Sequence, residues 1–204
     1  MQRRAILITA LRTGLLAGAC ATLATLTGCA TSSSGMGWTP MIDGKSLSGW
    51  NQIGAGNWRI EDGMVVGDRG KAGFLVTSRS YKDFMIRAEF WSSDDANSGI
   101  FIRCTDAAKV TGDNAYEVNI FDKRPDPSYA TGAIVNVAKP AVMIKAGGQW
   151  NVYEITAKGD TFTVTLNGTR TVDGARDARH ANGLIALQSD GGVIKFRKLE
   201  IREL

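Results

Sequence analysis

Apolar and polar residues alternate with a period of two through most of the chain after residue 37. Phe84, Ile86, Ala88 and Phe90 alternate with Met85, Arg87, Glu89 and Trp91, and Tyr116, Val118 and Ile120 alternate with Glu117, Asn119 and Phe121. Between these segments Ile100 and Ile102 alternate with Phe101 and Arg103. This spacing predicts strands with one face on a core and the other turned away from it. Residues 58–60 and 64–66 flank Asp62-Gly63, which predicts a tight hairpin. Residues 152–157, 161–166 and 169–172, separated by Gly159-Asp160 and Asn167-Gly168, predict a meander, and 183–188 and 193–201 give the last strands. No long helical period follows Gly37, and only 175–181 suggests a short helical turn. Many short strands joined by Gly-based turns predict one all-β domain, an antiparallel sandwich or barrel, over residues 38–204.

The first 28 residues follow another pattern. Arg3, Arg4 and Arg12 form a basic leader, and residues 14–26 are an uncharged, largely apolar run too short to span a bilayer. Leu26-Thr27-Gly28-Cys29 then has the form of a bacterial lipobox. It predicts cleavage before Cys29, acylation of that cysteine, and a Ser/Gly-rich tether over residues 29–37. The expected location is the bacterial envelope, with the membrane engaged through the lipid anchor only. Ala30 after the cysteine, where an aspartate would favour retention, suggests the periplasmic side of the outer membrane.

Removing the leader changes the charge reading. The whole chain carries +4, but the three leader arginines come with no acids, so the mature chain carries +1. The sequence pI of about 9.0 is therefore no argument for nucleic acid, and no basic run interleaved with aromatics remains. Of three cysteines, Cys20 falls in the leader and Cys29 is consumed by lipid, which leaves Cys104 without a partner for a disulfide. With His180 as the sole histidine, a Cys/His catalytic pair or a multi-histidine zinc site has little support.

If the strands over 84–91, 99–103 and 116–121 share a sheet, its non-core face mixes carboxylates, an amide, an arginine and aromatic rings. That mixture suits a sugar, whose apolar ring faces stack on aromatics while its hydroxyls meet polar groups. A solvated face laced with cross-strand ion pairs has the same composition. Asp94, Asp95 and Asn97 supply oxygen ligands that could hold a divalent cation such as calcium, or form a solvated turn.

Met41-Ile42-Asp43-Gly44-Lys45-Ser46-Leu47-Ser48-Gly49-Trp50, Trp58 with Glu61-Asp62-Gly63, and Asn97-Ser98-Gly99-Ile100-Phe101-Ile102-Arg103 occur in order. Tyr116-Glu117-Val118-Asn119-Ile120, Thr131-Gly132-Ala133-Ile134, Trp150-Asn151, Leu166-Asn167-Gly168 and Phe196-Arg197-Lys198-Leu199-Glu200-Ile201 follow. Together they resemble the family once called domain of unknown function 1080, now described as 3-keto-disaccharide hydrolases or 3-keto-glucoside lyase/hydratases. The resemblance implies a concanavalin-like jelly-roll β-sandwich that acts on glycosides. Two departures stand out: Asn119 where many members have glutamine, and Ser189-Asp190 after Leu187-Gln188 where some members have a histidine.

The implied reaction begins with a ketone at C3, which acidifies the C2 proton. A base removes it, the C1 substituent leaves by β-elimination, and water adds to the glucal for a net hydrolysis. Glu117 is the first choice for base, with Glu89 or Asp122 as partner acid and Arg103 stabilising the enolate. Asn119 and Gln188 would orient hydroxyls and Trp91 would stack on the ring. A metal could assist by polarising the ketone. The partners implied are a glycoside substrate and, functionally, an oxidoreductase that makes the 3-keto sugar. A non-catalytic carbohydrate-binding module and a structural envelope lipoprotein are the competing readings.

Overall fold

The computed structural model describes residues 37–68 and 71–204. The leader, the lipobox with Cys29 and most of the tether lie outside the described residues. In chain order the strands are β1 (Thr39–Pro40), β2 (Trp50–Gly54), β3 (Asn57–Glu61), β4 (Met64–Asp68), β5 (Gly73–Thr77), β6 (Phe84–Ser92) and β7 (Ser98–Cys104). They continue as β8 (Tyr116–Ile120), β9 (Trp150–Lys158), β10 (Thr161–Leu166), β11 (Thr169–Arg176), β12 (Leu184–Ser189) and β13 (Ile194–Glu203), with one 3-10 turn at Pro127–Tyr129.

Two antiparallel sheets form a concanavalin-like, jelly-roll-type sandwich. The first has the order β11-β10-β9-β6-β13-β4-β3, with β1 also on β13, and the second β2-β5-β12-β7-β8. The β3–β4 hairpin turns where expected, with Asp62 and Gly63 both at positive φ (50° and 75°), the conformation that matches strand twist in a two-residue turn. Asn167 and Gly168 do the same between β10 and β11. The expected helical turn over 175–181 does not form. β11 runs to Arg176, and Asp177 instead accepts hydrogen bonds from Tyr116 Oη (2.9 Å) and the Arg179 backbone amide.

Between the sheets lies one main core. Phe84, Ile86, Ala88 and Phe90 of β6 and Phe196, Leu199 and Ile201 of β13 belong to it, as do Leu75, Ile100, Ile102, Tyr116, Val118, Ile185 and Leu187 of the second sheet. Each fully buried large apolar side chain contributes about 1.5–3 kcal/mol, so this cluster drives the pairing of the sheets. Alternation had placed Phe84, Ile86, Ala88 and Phe90, Ile100 and Ile102, and Tyr116 and Val118 each on the inward face of its strand, but it does not say which sheet a strand joins. β6 sits between β9 and β13 in the first sheet, whereas β7 and β8 pair in the second. Residues 93–97 carry the chain across, held by backbone bonds from Ser93 N to Val193 O and from Asn97 N to Gly191 O. The expectation that the three strands share a sheet is therefore corrected.

Arg103 is corrected for a related reason. Leu184 pairs with Cys104 and Ala186 with Phe101, so Ile102 and Arg103 together oppose Ile185 in a β-bulge, with Arg103 at φ 55°. The extra residue breaks the alternation. Cys104 joins Phe101 on the outer face, and the Arg103 side chain becomes fully buried. All five of its N–H donors are used: Nε and Nη2 bond Lys82 O (2.9 and 2.6 Å), Nη1 bonds Gly159 O (2.6 Å) and His180 O (3.1 Å), and Nη2 also meets Asp83 Oδ1 (3.1 Å). Phe162 lies against the guanidinium at 5.3 Å. No donor remains for an enolate, so Arg103 ties turns together at one end of the sandwich.

Arg103→Met should lower the urea midpoint by the equivalent of at least ~3 kcal/mol, because several carbonyls lose their donors in a buried setting. Arg103→Lys should recover only a part, since an ammonium has three donors rather than five. Near-native midpoints for both variants would show that this corner contributes little.

Candidate functional site on the outer face of the second sheet

On the side of the second sheet away from the main core, the register assembles two rows. One runs Val76–Ala186–Phe101–Glu117, and the other brings Ile53 beside Phe74, Phe74 beside Gln188, and Gly99 beside Asn119. Phe74 and Phe101 meet edge to face at 5.3 Å. With Val76, Ala186, Val110 and Ala115 they form a second apolar cluster, in which Phe101 is buried and Phe74 and Ile53 are half-buried. Polar groups gather at its β7–β8 side.

Glu117 dominates that side. It is 9% exposed and its carboxylate has no hydrogen-bond or ion-pair partner among the described residues. The side chain folds over Gly99, where an added Cβ would lie 3.1 Å from both Cγ and Oε1 of Glu117, so the absence of a side chain at 99 makes the space. Burial pushes the Glu117 pKa up to about 7, against the opposing field of the Arg124 guanidinium. A carboxylate near half-ionisation at neutral pH is suited to proton transfer.

Two amides accompany it. Asn119 Nδ2 donates to Tyr129 O at 2.6 Å, which fixes the amide orientation and leaves Oδ1 buried without a partner. Gln188 Oε1 is likewise buried and unpartnered. Each such acceptor costs about 1–3 kcal/mol when left unsatisfied, and a ligand hydroxyl is the kind of donor that relieves it.

Glu117, Asn119 and Gln188 are thus brought to one face, and the other sequence candidates are not. Glu89 and Trp91 project from the outer face of the first sheet, where Glu89 accepts from Arg197 Nε at 2.7 Å and Lys195 Nζ sits 5.3 Å from the Trp91 ring. The sandwich core separates them from Glu117. Asp122 accepts from Thr131 Oγ1 (2.6 Å), Ala146 N (2.9 Å) and Gly147 N (2.8 Å), so its oxygens pin loops together. It borders a cleft of about 200 Å³ with Asp94, Lys123 and Lys145. Asp95 accepts from Ser93 Oγ (2.6 Å) and Asn97 donates to Asp190 (3.1 Å), so both candidate ligands are engaged with other protein groups. Among the described residues no group of three or more His, Cys, Asp or Glu is arranged to hold a metal ion. Cys104 is buried, and burial raises its thiol pKa. A larger cleft of about 340 Å³, between Thr39–Met41 and Thr77–Tyr81, has no carboxylate in its lining.

Sequence reading missed Arg124 and Phe74. Arg124 lies in the loop after β8, where no alternation marks a face, and Phe74 lies in β5, where the run Phe74-Leu75-Val76 shows no apolar–polar alternation.

Residues 37–202 match the family described as 3-keto-alpha-glucoside-1,2-lyase-like domain. The chain belongs to that family. Membership places it among carbohydrate-acting domains, as the sequence motifs implied. Similar solved structures include two candidate glycosyl hydrolases of Parabacteroides distasonis. One is 20% identical with a TM-score of 0.72 over 82% of this chain and 94% of its own. The other is 24% identical with a TM-score of 0.67 over 82% and 99%. The carbohydrate-binding module CBM66 of Bacillus subtilis is 19% identical, with a TM-score of 0.62 over 76% and 96%. At these identities the likeness concerns the fold. No curated protein matches the chain.

Burial of Glu117 has a thermodynamic consequence with a definite sign. Its pKa rises from 4.5 to about 7 on folding, so between these values the folded state binds more protons and stability falls as pH rises. This group alone should remove about 2–3 kcal/mol of unfolding free energy between pH 5 and 8. Glu117→Gln should lack that loss, and its stability advantage over the parent should widen with pH in denaturant titrations. A pH-independent difference between the two proteins would mean that Glu117 is well solvated.

Proposed function

We propose that the domain cleaves 3-keto-glycosides, with Glu117 as the base that removes the C2 proton. The single observation that carries this reading is the buried, unpaired Glu117 carboxylate, raised toward neutrality beside two orphan amide oxygens. The C2–H electrons form the enolate of the C3 ketone, the C1–O bond breaks as the enolate collapses, and the aglycone leaves with a proton drawn from Glu117 or water. Water then adds across C1=C2 to give the free 3-keto sugar. Such elimination needs no oxocarbenium ion, so one positioned carboxylate can suffice where ordinary glycosidases use a pair. Arg124, the cation whose field reaches Glu117, takes the charge-stabilising place that sequence reading gave to Arg103. Asn119 and Gln188 accept from sugar hydroxyls, and the half-buried Phe74 ring, backed by the buried Phe101, replaces Trp91 as the apolar contact. The same face would serve recognition without turnover, and the resemblance of the fold to a carbohydrate-binding module supports that as the second reading.

The protein should cleave a 3-keto-glucoside and leave its unoxidised parent intact. Equal rates on both would indicate an ordinary glycosidase, and sugar binding without turnover would favour the binding module. Glu117→Gln should lower turnover by about two to four powers of ten while binding survives. Because the base acts when ionised, kcat/KM should rise with pH and level off above about 7. Arg124→Gln should move that limb to higher pH, since it removes the charge that favours ionisation. A flat profile, or near-native turnover by Glu117→Gln, would remove Glu117 from the mechanism.

The sequence motif around Cys29 supports a second part of the proposal: an envelope lipoprotein, held on the periplasmic side of the outer membrane and supplied by a sugar 3-oxidoreductase. Cys29→Ala should abolish acylation and leave the precursor or a differently cut form. A normally processed, membrane-held Cys29→Ala protein would refute the anchor.

A further inference from the structure

The outer face of the first sheet, opposite Glu117, carries a pattern that the glycoside reading leaves unused. Three tryptophans lie there, each with a cation on its ring. Arg87 and Arg202 sit 4.9 and 5.3 Å from the Trp38 ring, Lys195 lies 5.3 Å from Trp91, and Arg197 lies 4.2 Å from Trp150. Trp91 and Trp150 are direct cross-strand neighbours. Beside them Trp150 and Val152 are 37% and 36% exposed, although both are large and apolar. The carboxylates of this face are already taken: Glu154 and Glu200 by Arg87, Glu200 also by Lys198, and Glu89 by Arg197. Lys195 and Arg202 have no carboxylate partner among the described residues.

A second, independent observation is where the chain enters the domain. Gly37 packs on Arg202, with an added Cβ 3.2 Å from its Cδ, and Trp38 lies over the same guanidinium, so the polypeptide arrives on this face. Only residues 30–36 separate Gly37 from Cys29, and seven residues reach at most about 25 Å when fully extended.

We infer that this face is a membrane-docking surface, whose occupant is the phosphate-bearing headgroup layer of the bilayer that holds the chain's own acyl groups. The inference rests on the lipoprotein reading of Cys29. Indole rings favour the boundary between headgroups and acyl chains, where one edge is apolar and the N–H is wet. Cations left without carboxylates are attracted to anionic headgroups within a Debye length of about 8 Å, and a tether of at most about 25 Å keeps the face near enough to the bilayer to sample that range. Docked in this way, the domain turns the face with Glu117 away from the bilayer, toward aqueous substrate.

The test uses the mature, acylated full chain in phosphatidylethanolamine vesicles with and without phosphatidylglycerol. A single cysteine is introduced either at Val152→Cys on the docking face or at Asn51→Cys on the opposite sheet, and labelled with a fluorophore. Cys29 is blocked by lipid and Cys104 is buried, so the introduced thiol takes the label. Nitroxide-headgroup lipid should quench the label at 152 several-fold more than the label at 51 in the anionic vesicles. High salt, or Lys195→Glu with Arg202→Glu, should erase the difference. Equal quenching at the two positions in an acylated chain, or a difference indifferent to both salt and charge reversal, overturns the docking surface while leaving the anchor intact. A chain whose mass shows no acyl groups overturns the anchor and the docking surface with it.

Discussion

The buried guanidinium of Arg103 is the constraint on which the geometry of the sandwich rests. It lies fully inside, and its five donors meet the carbonyls of Lys82, Gly159 and His180 and the Asp83 carboxylate. Gly159 belongs to the turn between β9 and β10 in the first sheet, and Lys82–Asp83 lead into β6 of the same sheet, while Arg103 itself ends β7 of the second. One side chain therefore spans the two layers where no apolar contact could satisfy the turn carbonyls. A charge in such a place is costly unless every donor is used. The bulge at Ile102–Arg103 is what turns the side chain inward, and it also returns Cys104 to the outer face beside Phe101. The β7–β8 ladder before the bulge is regular and sets Phe101 against Glu117 and Gly99 against Asn119.

Much of the fold was legible in the sequence because period-two alternation and Gly-based turns are local properties of the chain. The strands read over 84–91 and 116–121, the Asp62-Gly63 hairpin and the β9–β10–β11 meander agree with the structure to within a residue or two apart from the longer β11, and Val118 was placed in the core. Sheet membership could not be read in this way, since alternation is identical in either layer of a sandwich. For the same reason Glu89 and Trp91 looked like neighbours of Glu117 although the core divides them. Arg103 was misplaced because a bulge shifts alternation by one residue, and nothing in Gly99-Ile100-Phe101-Ile102-Arg103 announces it. Glu117, Asn119 and Gln188 were legible because each lies within a regular strand. Arg124 was not, because its position depends on a loop.

The two outer faces differ in how their polar groups are satisfied. On the first sheet, carboxylates and guanidinium groups are largely paired with one another, and partly exposed pairs of that kind contribute little to stability. On the second, Glu117, Asn119 Oδ1 and Gln188 Oε1 are buried without protein partners. A fold optimised for stability alone would have paired or exposed them, so the second face carries the mark of a site for a small hydroxyl-bearing ligand, whereas the first leaves only cations over.

That contrast also accounts for the selectivity the site can have. Its unsatisfied groups are acceptors, apart from whatever proton Glu117 carries, so a ligand gains most by presenting hydroxyl donors. The burial that raises the Glu117 pKa also disfavours its ionised form, and a donor brought to the carboxylate would restore part of the hydration that folding removed. In the proposed reaction, binding of a polyhydroxylated ring and ionisation of Glu117 would therefore favour each other. A bound sugar would draw the Glu117 pKa downward, toward the ionised state that the proposed proton abstraction requires.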